Sequence, residues 1–194
     1  MKSLMFWVLT AFILFSMPSA GRAGAPTDQL SASIKQFITI LSNTPVSELQ
    51  AKGLPDSARR LVFARFDFSE MTKRSLGPHW KLLDQGEQRE FVDAFTQRLL
   101  VAYGKTVRSS AAEGIQFTRE VQDGTQASVE SKIVNGEGET PIDYRLHDVE
   151  GQWKVYDVLI DHVSVVNNYR AQFDRVIAKS SVQDLLRRMK SQGE

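Results

Sequence analysis

The sequence of 194 residues contains no cysteine, so neither disulfide bonds nor thiolate metal ligands are available to the chain. It also lacks a strong excess of charge of either sign, since its formal net charge is +1 at pH 7. Without a basic surface field the chain has little to hold nucleic acid, and we predict no nucleic-acid partner. Stability must come from packing, for which the length is sufficient.

The sequence also lacks an apolar run long enough for a permanent membrane span, which needs roughly 20 apolar residues. The apolar run at residues 4–15 is shorter, follows Lys2 and precedes the small residues Gly21 and Ala23. This order is typical of a signal peptide. We predict a cleavable signal peptide over residues 1–23, cut after Ala23, and export from the cytoplasm. An uncleaved anchor and a buried core helix are the alternatives.

We predict that the remaining residues, 24–194, form a single domain whose first part is helical. Between about residues 27 and 110, apolar residues recur at the spacing of one helical face. The longest helix begins at Asp84, which forms a capping-box pattern with Glu87. Aromatic and aliphatic side chains follow on one face of this helix, namely Phe91, Phe95, Leu99 and Tyr103.

From about residue 115 to residue 162 the apolar period changes from 3.6 to two, which predicts β-strands. Turn signals at Asp123-Gly124, Asn135-Gly136 and Glu150-Gly151 divide this part into four antiparallel strands. The fourth, at residues 152–160, has apolar side chains on both faces, which predicts a position at the centre of the sheet.

Two more helices are predicted at about residues 165–190. The order of elements, with helices first, then a four-stranded meander and then helices, predicts an α+β fold. In this fold the helices are laid on one face of a curved antiparallel sheet.

Three histidines are present, His79, His147 and His162, and none has the spacing of a metal-ligand motif. We therefore predict no metal site. Glycine-rich phosphate loops and a GxSxG nucleophile turn are also absent from the sequence.

One group of polar residues could support catalysis. Asp157, Asp161 and His162, with Tyr144, could supply a general base and an oxyanion donor in a pocket. Alternatively, Asp157 pairs with Arg145 or caps a strand end, and Asp161 precedes a helix whose amides need acceptors. We favour the second interpretation and predict no catalytic residue and no cofactor.

Apolar and aromatic side chains are abundant in both the helical and the strand parts. Ordinary core packing explains any one of them, and periodicity alone cannot distinguish a filled core from a hollow one. If the core is hollow, its lining is predicted to include Phe91, Phe95, Leu99, Tyr103, Val129, Tyr144, Trp153, Tyr156, Val163, Val165, Tyr169 and Phe173.

Two parts of the sequence resemble one known family. The segments FDFSEM at residues 66–71 and LGPHW at residues 76–80, followed by GEQREFVDAF at residues 86–95, are similar to the N-terminal signature of the toluene-tolerance, or MlaC, family. The segment WKVYDV at residues 153–158, with the stretch through VSVV to NYRAQF at residues 163–173, resembles the family's second signature. Together the two resemblances extend over nearly the whole chain after the predicted signal peptide.

The resemblance implies a periplasmic phospholipid-binding protein of the pathway that maintains outer-membrane lipid asymmetry, and no enzyme. It implies an NTF2-like curved sheet packed with a helical lobe, with acyl chains buried between them and lipid contacts among the twelve residues named above. The implied partners are a phospholipid, an inner-membrane ABC transporter complex with its substrate-binding ring, and an outer-membrane lipoprotein complex.

Some alternatives stay open. The family also includes members tied to hopanoid metabolism, so the cargo could be a hopanoid-type lipid. An NTF2-like isomerase or hydratase acting on a hydrophobic small molecule is the enzymatic alternative. His162 stands where the family usually has glycine, so head-group preference does not follow from the resemblance.

Overall fold

The structure is a computed structural model that describes residues 25–110, 114–136 and 138–191, with side chains except at residues 50–52, 105–110 and 135. The predicted signal peptide at residues 1–23 and its cleavage site lie outside the described residues. Within the described ranges, no helix has both the length and the apolar character that a membrane crossing requires.

Helices come first and last in the described chain, and the strands lie between them. The helices, in order, are α1 (Ala25–Ser42), α2 (Val46–Lys52), α3 (Asp56–Arg65), α4 (Phe68–Leu76), a 3₁₀ helix (Gly77–Leu82), α5 (Gln85–Ser110), α6 (Val165–Ile177) and α7 (Val182–Ser191). The strands are β1 (Gly114–Asp123), β2 (Gln126–Asn135), β3 (Gly138–Val149), β4 (Gln152–Ile160) and β5 (Val163–Ser164).

The strands form one antiparallel sheet in the order β1-β2-β3-β4-β5. Short turns force this meander. Between β3 and β4 the chain reverses through Glu150 and Gly151, whose φ angles of 54° and 82° are those of a two-residue hairpin turn. The predicted α+β class is confirmed, and a two-residue fifth strand extends the predicted four.

The predicted central position of β4 is wrong, because β3 is the middle strand and β5 pairs only with Leu159 and Ile160. The burial of β4 comes from helices and a loop that pack against it, rather than from a central position among strands. Phe66 forms a parallel bridge with Val155, and the Asp67 amide donates to the Val155 carbonyl at 2.8 Å. The register between β3 and β4 shifts at this point, so the consecutive residues Val155, Tyr156 and Asp157 are all buried. Burial of consecutive residues is also what a central strand would show.

Side-chain capping hydrogen bonds are present at the starts of α4 and α5, and the one at α5 is the predicted capping box. At α5, the Glu87 amide donates to Asp84 Oδ1 at 2.8 Å, and the Asp84 amide donates to Glu87 Oε2 at 2.9 Å, which is a complete capping box. At α4, the Glu70 amide donates to Asp67 Oδ1 at 2.9 Å. These local bonds fix where the two helices begin.

The core has a helical part, a sheet part and a small third cluster of Phe37, Leu41 and Ala58 between α1 and α3. The helical part joins α4, α5, α6 and α7 through the buried residues Phe68, Met71, Leu76, Leu83, Phe91, Phe95, Leu99, Val165, Val166, Tyr169, Phe173, Val182, Leu185, Leu186 and Met189. The sheet part joins α1 to strands β2 to β4 through Leu30, Ala127, Val129, Tyr144, Leu146, Trp153 and Val155.

A buried carboxylate connects β4 to the start of α6. Asp157 is only 2% exposed, and its Oδ2 accepts from the Ser164 hydroxyl at 2.7 Å and from Arg145 Nη1 at 3.2 Å. Its Oδ1 accepts from the Val166 amide at 3.1 Å, which is one of the donors left unpaired at a helix N-terminus. Pairing with Arg145, one of the two predicted roles of Asp157, is therefore present.

We expect Asp157→Ala to lower the free energy of unfolding by about 3 kcal/mol, because it leaves the Ser164 hydroxyl and the Val166 amide without an acceptor inside the protein. For a chain of this size, that corresponds to a fall in melting temperature of roughly 10 °C. Thermal unfolding followed by circular dichroism measures it.

Arg145→Ala is the matched control. The Arg145 side chain is 44% exposed, and without it Asp157 still accepts from the Ser164 hydroxyl and the Val166 amide, so its removal should cost less than Asp157→Ala. Equal losses in the two variants would contradict the role assigned to Asp157 at the start of α6.

Candidate functional site

A cavity of about 380 Å³ lies between the helices and the inner face of the sheet. This volume is in the usual range of small-molecule sites, about 300–1,000 Å³. Its lining consists of Leu30, Ser33, Ile34, Phe37, Ile38, Leu54, Leu61, Val62, Arg65, Phe66, Phe68, Met71, Leu99, Leu100, Tyr103, Gly104, Ile115, Ile133, Thr140, Ile142, Tyr144, Val158, Ile160 and Val165.

The sheet supplies one wall because alternate side chains of neighbouring strands lie on the same face. Ile115 of β1 is opposite Ile133 of β2, and Ile142 of β3 is opposite Ile160 of β4. The strand register therefore places four isoleucines on one face near the turn between β2 and β3. The isoleucines therefore make the cavity wall at that end of the sheet apolar.

The helices supply the opposite wall. On α1, the lining residues Leu30, Ile34, Phe37 and Ile38 follow the three- and four-residue spacing of a single helical face. The periodicity of α1 is visible in the sequence, and it is the signal that could have placed these residues in the site. The lining predicted from the sequence lacks them, because its helical residues all lie on α5 and α6.

Polar atoms are few along this lining. Tyr144 lies among the isoleucines, and burial raises the pKa of its phenol to about 12, so the hydroxyl stays neutral at physiological pH. Ser131 lies within hydrogen-bonding distance of that phenol, and its own hydroxyl donates to the Ile142 carbonyl at 2.7 Å. Burial also raises the pKa of the Tyr103 phenol, with a smaller contribution from Tyr169. Both phenols are uncharged members of the wall.

Arg65, at the end of α3, is the charged member of the lining in the described part of the chain. Its Nε donates to Ser33 Oγ at 2.9 Å and its Nη1 to Gln29 Oε1 at 3.0 Å. Nη1 also donates to the Trp153 carbonyl. The guanidinium thus connects α1, α3 and β4 at one end of the cavity. Nothing in the sequence pattern distinguishes Arg65 from the neighbouring arginines Arg59 and Arg60.

The structure brings four of the twelve predicted lipid contacts to the cavity, namely Leu99, Tyr103, Tyr144 and Val165. A second group packs ring against ring in the helical core. The ring centroids are 5.6 Å apart for Phe91 and Phe173, 4.9 Å for Phe95 and Tyr169, and 5.4 Å for Phe95 and Phe173. This second group forms a filled core beside the cavity.

The other predicted contacts lie elsewhere. Val129 and Trp153 belong to the sheet part of the core. Tyr156 lies between the His147 ring, at 5.5 Å, and the Arg74 guanidinium, at 4.1 Å. Val163 is 59% exposed. Contact with a lipid stays a prediction for all twelve residues.

The residues of the enzymatic alternative do not converge on the cavity, apart from Tyr144. Both oxygens of Asp157 are used at the start of α6, as described above. Asp161 and His162 are exposed in the turn after β4, with His162 Nδ1 3.9 Å from Asp143 Oδ2. Among the residues that the structure describes, no cluster of histidine, aspartate and glutamate could hold a metal ion.

The two segments that carry the family resemblance pack against each other. Ser75 of α4 donates to the Val166 carbonyl of α6 at 3.4 Å, and His79 Nε2 is 3.1 Å from Asp174 Oδ1. Gly77 has a φ of 54°, and a Cβ there would lie 2.9 Å from the Arg170 guanidinium. Glycine at this position therefore serves both the turn and the close packing of α6.

We expect Leu99→Glu to fold and Phe91→Glu to unfold, although both residues are buried on α5. Leu99 borders the cavity, where water can reach a new carboxylate, whereas Phe91 is fully buried among rings with no space for water. Circular dichroism of the two purified variants measures the difference. Unfolding of both would mean that the cavity wall near Leu99 is ordinary core.

Comparison with known proteins gives a consistent result. The family model described as MlaC protein matches residues 31–191. The toluene tolerance protein ttg2D of Pseudomonas putida is 24% identical over 173 residues, which cover 86% of this chain and 77% of that protein. The intermembrane phospholipid transport system binding protein MlaC of Haemophilus influenzae is 21% identical over 193 residues, which cover 96% and 90%.

A solved structure has the same fold. It is the phospholipid-binding protein from Ralstonia solanacearum in complex with a phospholipid, with a TM-score of 0.77 at 22% identity. The alignment covers 88% of this chain and 97% of that one. Since the family model matches most of its length, the chain belongs to the MlaC family, as the two signature segments predict.

Proposed function

We propose that the chain is a periplasmic lipid carrier that binds the acyl chains of a phospholipid in the cavity described above. The observation that carries this proposal is the lining, which is hydrocarbon on both walls apart from a few polar side chains. Membership of the MlaC family supports it, as does the fold shared with a phospholipid-binding protein.

Hydrocarbon solvation explains why such a cavity is useful. The two acyl chains of a phospholipid contain roughly 30 methylenes, each worth about 0.8 kcal/mol on leaving water. A lipid therefore crosses an aqueous compartment only when a protein covers its chains. Contacts with isoleucine, leucine and phenylalanine are non-directional, so they hold chains without requiring one fixed pose.

The place of the carrier in the cell follows from the N-terminal sequence together with the family. The predicted signal peptide at residues 1–23 would export the chain, and we infer that the mature protein works in the periplasm. There it would move phospholipid between an outer-membrane lipoprotein complex and an inner-membrane ABC transporter complex with its substrate-binding ring, and so maintain outer-membrane lipid asymmetry. Energy for transfer would come from these partners.

The protein purified after export should carry phospholipid without added ligand, since its apolar cavity would otherwise hold water against hydrocarbon. Organic extraction followed by mass spectrometry measures the cargo. A protein that contains no lipid, and takes up none from phospholipid vesicles, would refute the carrier function. A hopanoid-type lipid in the extract would change the cargo class and keep the carrier role.

A bulky substitution tests whether the cargo occupies this cavity. Ile142→Trp fills part of the space from β3, and we expect a folded protein with several-fold less copurified lipid. Val149→Trp is the control, because Val149 is on the same strand, 37% exposed and outside the lining. Equal lipid content in the two variants would place the cargo elsewhere.

A further inference from the structure

Arg65 combines a position in the cavity wall with an uncompensated charge. Among the described residues no carboxylate forms an ion pair with it, and its hydrogen-bond partners Ser33, Gln29 and the Trp153 carbonyl are all neutral. At least seven other lysines and arginines of the described chain do have a carboxylate partner, for example Arg74 with Glu70 at 2.8 Å.

This arrangement is costly for the empty protein. A half-buried cation loses part of its hydration, and neutral hydrogen-bond acceptors replace only part of that loss. Burial lowers the pKa of Arg65 from its ordinary value, in line with that cost, although the group stays charged at physiological pH. An anion brought by a ligand would compensate the charge.

The position of Arg65 along the cavity fits an amphiphile. Its guanidinium contacts the Trp153 carbonyl near the start of β4, whereas Ile160, at the other end of β4, lies in the isoleucine wall. Seven residues of strand separate the two positions, which is roughly 20 Å. The Arg65 guanidinium is therefore in a different part of the lining from the isoleucine wall.

We propose that Arg65 binds the phosphate group of the lipid while the acyl chains extend along α1 and the sheet towards Ile133 and Ile142. The proposal rests on the carrier function and adds to it a recognition site for the one charged group that all phospholipids share. The bonds to Ser33, Gln29 and the Trp153 carbonyl use Nε and Nη1, so Nη2 is the nitrogen that would donate to a phosphate oxygen.

A purely structural role is the competing explanation, since Arg65 also joins α1, α3 and β4. The two roles differ in how they depend on ligand charge. A structural clamp would affect every ligand equally, whereas a phosphate site would affect only ligands that carry the phosphate.

The test uses two probes with the same single acyl chain, lysophosphatidic acid and a monoacylglycerol, and measures their Kd values for the mature protein by calorimetry. We expect the wild type to prefer lysophosphatidic acid by at least tenfold, and Arg65→Met to lose that preference. Arg59→Met, which removes an exposed cation of α3 outside the lining, should keep the preference. Gln29→Ala, which weakens the clamp without removing charge, should also keep it.

Other outcomes would overturn the proposal. Equal weakening of both probes in Arg65→Met would make Arg65 a structural residue. No preference in the wild type would remove the phosphate site while leaving the carrier intact, and no binding of either probe would refute the carrier function itself. Binding of glycerol 3-phosphate as tight as that of lysophosphatidic acid would show a site for free phosphate.

The wild type supplies a second measurement in case Arg65→Met does not fold. The preference for lysophosphatidic acid should fall as salt is raised, because ions screen a half-exposed charge pair. A preference unchanged between low and high salt would contradict a charge-based site.

Discussion

The structure depends on keeping an apolar space open between two walls that would otherwise close on each other. Protein interiors normally pack to the density of organic crystals, and an empty hydrocarbon space loses dispersion contacts on every side. The walls must therefore be held by parts of the protein that are themselves well packed. Here the ring cluster of Phe91, Phe95, Tyr169 and Phe173 holds α5 against α6 on one side of the cavity.

Hydrogen bonds between polar groups hold the helices against the sheet, as the ring cluster holds α5 against α6. Asp157 fixes the start of α6 to β4, and Arg65 joins α1 and α3 to the same strand. Thr27, at the start of α1, donates from both its amide and its hydroxyl to Glu120 of β1. These links lie at the borders of the sheet, so the hydrocarbon between them need not be filled for the helices to stay in place.

Local features of the sequence predicted the fold well. The capping box at Asp84 and the turn at Glu150-Gly151 depend on neighbouring residues, and the structure has both. The position of β4 depended on distant partners instead. Its burial comes from Phe66, from helices and from an irregular register, none of which a pattern of apolar residues within residues 152–160 can reveal.

The cavity lining was harder to predict for a physical reason that α5 shows clearly. Phe91, Phe95 and Leu99 follow the same helical spacing, and all three are buried, yet only Leu99 borders the cavity. A helical period reports which face is apolar, not whether the space opposite that face is filled. What fills it is set by α6, whose Phe173 and Tyr169 rings pack against Phe91 and Phe95 in the first turns of α5. The hollow part of the core therefore begins where α6 no longer supplies rings, and that boundary exists only once the two helices have packed.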